Sequence, residues 1–300
     1  MSILKTEGLT KKYKDFKAVN ALNIEIQPQM IYGLLGPNGS GKTTTLGMLL
    51  GVTRPSEGSF SWFQNDSHDS NRKRIGALLE TPNFYPYMTA FQNLELTARI
   101  KDLKNASDEI ERVLKVVGLH DRKDSKFNTF SLGMKQRLAI GTTLLGDPEV
   151  LVLDEPTNGL DPEGIRDIRE LIIEIGKQGK TILIASHILD EVEKVCTHCA
   201  ILRKGELLQT GTIDEIIGNQ DVTLIKAHTS DMNKLVTFIE NHNDFSVYKN
   251  DDESFIVSAE HGMKAEDFNR ICFENGIVLN ELQVFNESLE NQFLQIVKSL

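Results

Sequence analysis

The residues Gly36-Pro37-Asn38-Gly39-Ser40-Gly41-Lys42-Thr43 fit the spacing GxxxxGK[ST], and they stand between an apolar run and a segment of helical period. Glycines at these places let successive backbone N–H groups turn inward around a phosphate, where side chains would block the wrap. The spacing puts the Lys42 ammonium on the outer phosphates, the Thr43 hydroxyl on a magnesium ion and Thr44 in the first helical turn, whose free N–H groups and dipole favour an anion. Further along, Val150 to Leu153 deliver Asp154 and Glu155 to the carboxyl end of a strand, where ligands bind in open α/β sheets. Asp154 is the expected metal-side carboxylate, and Glu155 is placed to polarise an attacking water. An Asp-Glu pair alone is most often the start of a solvated loop. Paired with the glycine-rich turn, it points to a nucleoside triphosphatase.

These groups need a scaffold that brings distant strand ends together. From Leu4 to about Gly218, short runs rich in Ile, Leu and Val alternate with longer segments of helical period, the pattern of an α/β protein. Ile31 to Leu35, Val150 to Leu153 and Thr181 to Ala185 lack polar alternation, as strands covered on both faces do. The spacing predicts helices over Thr43 to Leu50 and Pro162 to Lys177. A helix-rich segment from about residue 94 to 145 reads as a subdomain inserted into the core. After Gly218 the texture changes. Strands at Val222 to Ala227, Phe245 to Lys249, Ser254 to Ser258 and Val278 to Val284 interleave with helices at Asp231 to His242 and Lys264 to Asn275. That βαββαβ order suggests a small α+β domain of ferredoxin-like type, followed by a helix from Leu289 to Leu300. The expected division is therefore 1–218 and 219–300.

The 300 residues are 40% hydrophobic and 25% charged, within the range of folded globular chains. A net charge of −10 argues against broad electrostatic binding to nucleic acid, so a phosphate site has to be local. No apolar run approaches the roughly 18 to 20 residues that span a bilayer, and the opening residues lack the apolar stretch of a signal peptide, so a cytoplasmic protein is expected. Cys196 and Cys199 stand at CxxC spacing, but without a second pair nearby they read as a helix end feeding a strand.

The segment Thr129-Phe130-Ser131-Leu132-Gly133-Met134-Lys135-Gln136-Arg137-Leu138 resembles the signature motif of ABC ATPases, LSGGQ, with Ser131 and Gly133 kept and Phe130, Leu132 and Met134 replaced. The resemblance continues in Asn158-Gly159-Leu160-Asp161-Pro162, similar to the family's D-loop, and in Ser186-His187, similar to its switch histidine. It implies that Ser131, Gly133 and Asp161 meet nucleotide held by an opposite subunit, and that His187 contacts the γ-phosphate. It also implies that Tyr13 stacks on adenine with Val19 beside the ribose. In Ile75 to Pro86, Glu80 falls where most of these proteins have a Gln touching magnesium. That variant, with LLETPNFYP and the divergent FSLGM, resembles the ATP-binding subunits of bacitracin-resistance and lantibiotic-immunity exporters. The implied protein binds ATP and Mg2+, pairs with a second ATPase subunit, most simply a copy of itself, and works through a separate membrane permease. It would sit at the inner face of the cell membrane. The aromatics from Phe84 to Tyr87 would form a socket for that permease or belong to the core. Two other readings stay open, a non-transport ABC ATPase and a ligand-sensing regulatory ATPase.

Overall fold

Strands with no polar alternation have to be sandwiched, and the central strands of this chain are. The computed structural model describes residues 1–64, 71, 73–79, 84–217, 222–242, 244–250, 255–260, 263–285 and 288–298. Glu80, expected at the metal, lies outside the described residues, as do Thr81 to Asn83 and Ser254. The chain divides into two compact units, residues 1–213 and 214–300.

The first unit runs β1 (Leu4–Tyr13), β2 (Phe16–Leu22), β3 (Glu25–Ile26), β4 (Ile31–Leu35), α1 (Lys42–Leu49), β5 (Glu57–Trp62), β6 (Ile75–Leu78), α2 (Ala90–Ile100), α3 (Ala106–Val116), α4 (Leu132–Leu144), β7 (Val150–Asp154), α5 (Pro162–Lys177), β8 (Thr181–Ser186), α6 (Leu189–Val195), β9 (His198–Arg203) and β10 (Glu206–Thr212). Its main sheet has the order β10-β9-β4-β8-β7-β6. From β9 to β6 the pairs are parallel, and β10 closes one edge antiparallel to β9. Every residue of β4, β7 and β8 is buried, which is why these stretches carry no polar alternation. A feature not foreseen from the sequence is a second, antiparallel sheet in which β1 pairs with β2, β3 and β5. Its β1 has a half-buried pattern, with Leu4 and Thr6 inward and Lys5 and Glu7 outward.

The helical insertion leaves the core after β6 and returns at β7. Thr89 and Gln92 form a reciprocal capping box at the start of α2. Arg112 of α3 donates to both the Glu109 carboxylate and the Leu144 carbonyl, and Glu109 accepts from Gly146 N–H, so α3 is fastened to the end of α4. The same guanidinium holds the Glu109 carboxyl below its ordinary range. The insertion is wedged onto the sheet at Gly76 of β6, where a Cβ would lie 2.0 Å from the Thr143 carbonyl oxygen of α4. Only glycine permits that approach.

The second unit begins within α7 (Ile213–Ile217) and continues with β11 (Val222–Thr229), α8 (Met232–Glu240), β12 (Phe245–Asn250), β13 (Phe255–Glu260), α9 (Ala265–Glu274), β14 (Leu279–Phe285) and α10 (Leu289–Lys298). Its four strands are antiparallel in the order β12-β13-β11-β14. Ile225, Ala227 and Val257 of the sheet pack with Leu235 and Ile239 of α8 and with Phe268 and Cys272 of α9 in a core of their own. Phe245 meets Phe268 edge-on at a centroid separation of 5.2 Å.

Candidate functional site

The strand order places β8 between β4 and β7, so that three chain segments leave the sheet side by side. Leu35 is level with Ser186, and Asp154 with Ala185. The turn after β4, the acidic pair after β7 and the histidine after β8 therefore converge on one edge of the sheet.

The turn is confined from two sides. A Cβ on Gly36 would lie 2.2 Å from the Leu202 carbonyl oxygen of β9, and one on Gly41 would lie 2.5 Å from the Ala18 carbonyl oxygen of β2. Gly41 has φ of 106° and is the N-cap of α1, which leaves the first N–H groups of that helix, including Lys42, Thr43 and Thr44, without intrahelical partners. Pro37, Asn38, Gly39 and Thr43 are exposed, and Thr44 is half-buried. Ser40 points beneath the turn: its N–H donates to the Pro37 carbonyl at 3.1 Å and its carbonyl accepts from Gly205 N–H at 3.0 Å. Lys42, only 5% exposed, donates from Nζ to the carbonyls of Gly36 (2.8 Å) and Pro37 (3.4 Å). It is a cation held in place by the turn it follows.

Glu155 joins the three segments. Its Oε1 lies 3.3 Å from Lys42 Nζ and its Oε2 lies 2.7 Å from His187 Nδ1. The Glu155 backbone is left-handed (φ 47°), and its N–H donates to the Ala185 carbonyl at 2.9 Å. That conformation costs a non-glycine residue roughly 1–2 kcal/mol, here offset by the anchoring to β8 and by Asn158 N–H donating to the Glu155 carbonyl. Asp154 ends β7 buried next to it. Among the described residues no cluster of three or more His, Cys, Asp or Glu side chains forms a metal cage. One carboxylate, Asp154, and one hydroxyl, Thr43, suit an ion that keeps most of its waters and takes further oxygens from a phosphate, as Mg2+ does.

Ser131 caps α4, its Oγ accepting from Met134 N–H at 3.3 Å, and a Cβ on Gly133 would meet nothing within 4 Å. Both are accessible. Asp161 caps α5 through Gly164 N–H (2.9 Å), with Pro162 in the first turn. Tyr13 is 50% exposed at the tip of the β1–β2 hairpin, opposite the exposed Phe16, with Lys11 Nζ 5.1 Å from its ring centre. Val19, expected beside a ribose, has no exposed surface: its side chain packs under the turn, 3.2 Å from where a Gly41 Cβ would stand. It supports the turn from below. Phe16, the first residue after the Lys14-Asp15 turn, adds a second exposed aromatic beside Tyr13. Cys196 and Cys199 are buried free thiols, and burial pushes Cys199 up to about 12 and Cys196 well up, so neither is poised as thiolate nucleophile or metal ligand.

A family model described as ABC transporter matches residues 19–158. The bacitracin transport ATP-binding protein BcrA of Bacillus licheniformis is 40% identical over 302 residues, covering 99% of this chain and 97% of that protein. Its namesake from Enterococcus faecalis is 33% identical, covering 98% and 96%. Among solved structures, cbiO1 from Clostridium perfringens, described as part of the ABC transporter complex cbiONQ, superposes with a TM-score of 0.66 at 30% identity, over 72% of this chain and 90% of that one. A dimeric ATP-binding cassette, MJ0796, bound to ADP and Pi in a post-hydrolysis state, superposes with a TM-score of 0.62 at 25% identity, over 70% and 98%.

Proposed function

Because the chain belongs to the ABC transporter ATP-binding proteins and is an ATP-hydrolysing subunit, we propose that it powers export of a peptide antibiotic through a separate membrane permease, with bacitracin the first compound to test. The observation that carries the catalytic half of this reading is the Glu155 carboxylate, shared by Lys42 and His187 where three strands end.

In this reading the N–H groups of Gly36 to Thr44 and the Lys42 ammonium bind the triphosphate, and Tyr13 stacks on the adenine ring. Thr43 and Asp154 would hold Mg2+, with Glu80 as a further oxygen donor, and the ion would supply positive charge to offset that of the triphosphate. Glu155 accepts a proton from the attacking water, and His187, hydrogen-bonded to it, keeps carboxylate and water in line with the γ-phosphorus. Ser131, Gly133 and Asp161 complete the site from a second copy. Ser131 and Asp161 are exposed and Gly133 is half-buried, and the first two are helix caps whose neighbouring N–H groups favour an anion. Two ATP molecules then join two copies head to tail, and hydrolysis removes the link.

No helix among the described residues is long and apolar enough to cross a membrane. We therefore assign the pore to a partner and the working position to the cytoplasmic face. A groove of about 360 Å³ lined by Phe84, Tyr85, Leu96, Ile100 and others, beside the exposed Tyr87, fits an apolar segment of that partner. For the second unit, the βαββαβ order and antiparallel sheet support a ferredoxin-like accessory domain with a role in regulation or dimer support.

The test is disruption of this chain's coding sequence in its own host, with growth in bacitracin and uptake of the labelled peptide as readouts. Lower tolerance and higher retention, both restored by the wild-type chain and not by Lys42→Ala, are expected. Unchanged tolerance together with active purified ATPase would refute the substrate and leave the ATPase standing.

A further inference from the structure

Among the described residues, Asp154 and Glu191 are the buried acids, and the chemistry above uses only the first. Glu191 lies on α6, four residues after His187. Its Oε1 is 3.9 Å from Arg169 Nη1 of α5, too far for a hydrogen bond. Its Oε2 is sealed from solvent and has no hydrogen-bond partner among the described residues. Burial pushes the Glu191 carboxyl up from its ordinary value, with Arg169 opposing. A carboxylate oxygen in that position is costly unless something donates to it.

Glu191 lines a small cavity of about 20 Å³, whose other polar walls are Thr157, Ser186 and Arg169. One ordered water needs roughly 10–15 Å³ measured this way and two to four polar partners. The cavity has room for one water and not for a larger ligand. Its walls also matter by position: Thr157 follows Glu155 by two residues, Ser186 precedes His187 by one, and both are buried.

We infer that Glu191 is a positioning residue, which together with Thr157 and Ser186 holds a single buried water that locks the segment carrying Glu155 to the segment carrying His187. The inference rests on the proposed roles of Glu155 and His187. The water donates to Glu191 Oε2 and reaches the hydroxyls of Thr157 and Ser186, so two chain segments that leave different strands are braced from behind. Misplacing a reacting group by about 1 Å can cost 10²-fold in rate, which is the scale on which such a brace acts.

The experiment compares steady-state ATPase of the full chain carrying Glu191→Gln, Glu191→Met or Thr157→Val, with thermal melting of each. Glu191→Gln keeps an acceptor for the water and should hold kcat within about threefold, whereas Glu191→Met and Thr157→Val should lower kcat about tenfold with KM for ATP within about twofold. Loss in the Gln variant equal to that in the Met variant would mean that charge, not the water, matters, and would overturn the inference. So would full kcat in the Met variant with only a lower melting temperature. If the Met variant does not fold, Thr157→Val decides alone, since it removes a hydroxyl at constant volume. Glu155→Gln run alongside separates the two levels: its full activity would remove the underlying reading, while its inactivity with a fully active Thr157→Val would remove only the brace.

Discussion

Replacing Glu155 by Gln removes one charge and almost no volume, and its effects on binding and on chemistry should have opposite signs. The carboxylate lies 3.3 Å from Lys42 Nζ, which at an effective dielectric near 20 is a Coulomb attraction of about 5 kcal/mol before desolvation and solvent screening. A bound γ-phosphate needs that ammonium and meets the carboxylate's repulsion. Removing the charge should therefore tighten MgATP binding, by about 1 kcal/mol or fivefold once screening is allowed for, since Glu155 is about one-fifth exposed. The amide can still hydrogen-bond His187, so the strand ends stay joined. It cannot take the proton of an attacking water, and loss of general-base catalysis costs about 10²- to 10⁴-fold, or roughly 3–5 kcal/mol of barrier. Titration calorimetry should show equal or tighter binding, single-turnover assays a collapsed rate, and size-exclusion chromatography with MgATP a persistent dimer. Turnover within threefold of wild type would refute the assignment of Glu155. Weaker MgATP binding would refute the electrostatic argument even if turnover fell.

Gly41→Ala should lower the melting temperature and abolish tight nucleotide binding, because it combines φ of 106° with a Cβ placed 2.5 Å from the Ala18 carbonyl oxygen. Gly39→Ala, at φ of 79° with no atom within 4 Å of its Cβ, should carry only the left-handed penalty of about 1–2 kcal/mol; equal melting temperatures for the two variants would sink the steric argument. Glu80→Ala should depress permease-coupled hydrolysis while Glu80→Gln, which keeps an oxygen donor, should have a mild effect in reconstituted vesicles. An inert Glu80→Ala leaves that residue no part at the metal.

The sequence was most legible where chemistry and local geometry impose the same residues. The turn from Gly36 to Thr43 was readable because backbone approaches at Gly36 and Gly41 exclude any other residue, and the helix from Pro162 to Lys177 because Asp161 and Pro162 are a cap and a first-turn residue. The buried strands β4, β7 and β8 announced themselves by unbroken apolar runs. What stayed hidden depends on which strand lies next to which. Nothing local in Glu155 says that it bridges Lys42 and His187; that follows from β8 lying between β4 and β7, an order set by the pairing of strands far apart in the chain. The setting of Val19 stayed hidden for a related reason. A single apolar residue in a strand does not declare which face it occupies, and the turn packed above it decides. The four-stranded antiparallel sheet was missed because its short members, such as Glu25–Ile26, have no periodicity to read.

The placement of α4 suggests how such a site is switched. Near its C-terminal end the helix is pressed on Gly76, with the Thr143 carbonyl 2.0 Å from where a Cβ would stand, so that end cannot slide across β6. Its N-terminal end presents Ser131, and Gly133 beside it has open space. From Thr143 back to Ser131 is about 18 Å at 1.5 Å per residue, so a tilt of about 10° about the Gly76 contact displaces Ser131 by about 3 Å. That is the length of one hydrogen bond. A small rotation of the helical insertion, braced as one piece by Arg112 and Glu109, is then enough to make or break the proposed contact with a second copy's phosphate while Lys42, Glu155 and His187 stay in place. The strand that serves as pivot, β6, runs directly into the segment bearing Glu80 and the aromatic groove. The permease proposed to press there would act on the short arm of a lever whose long arm ends at Ser131.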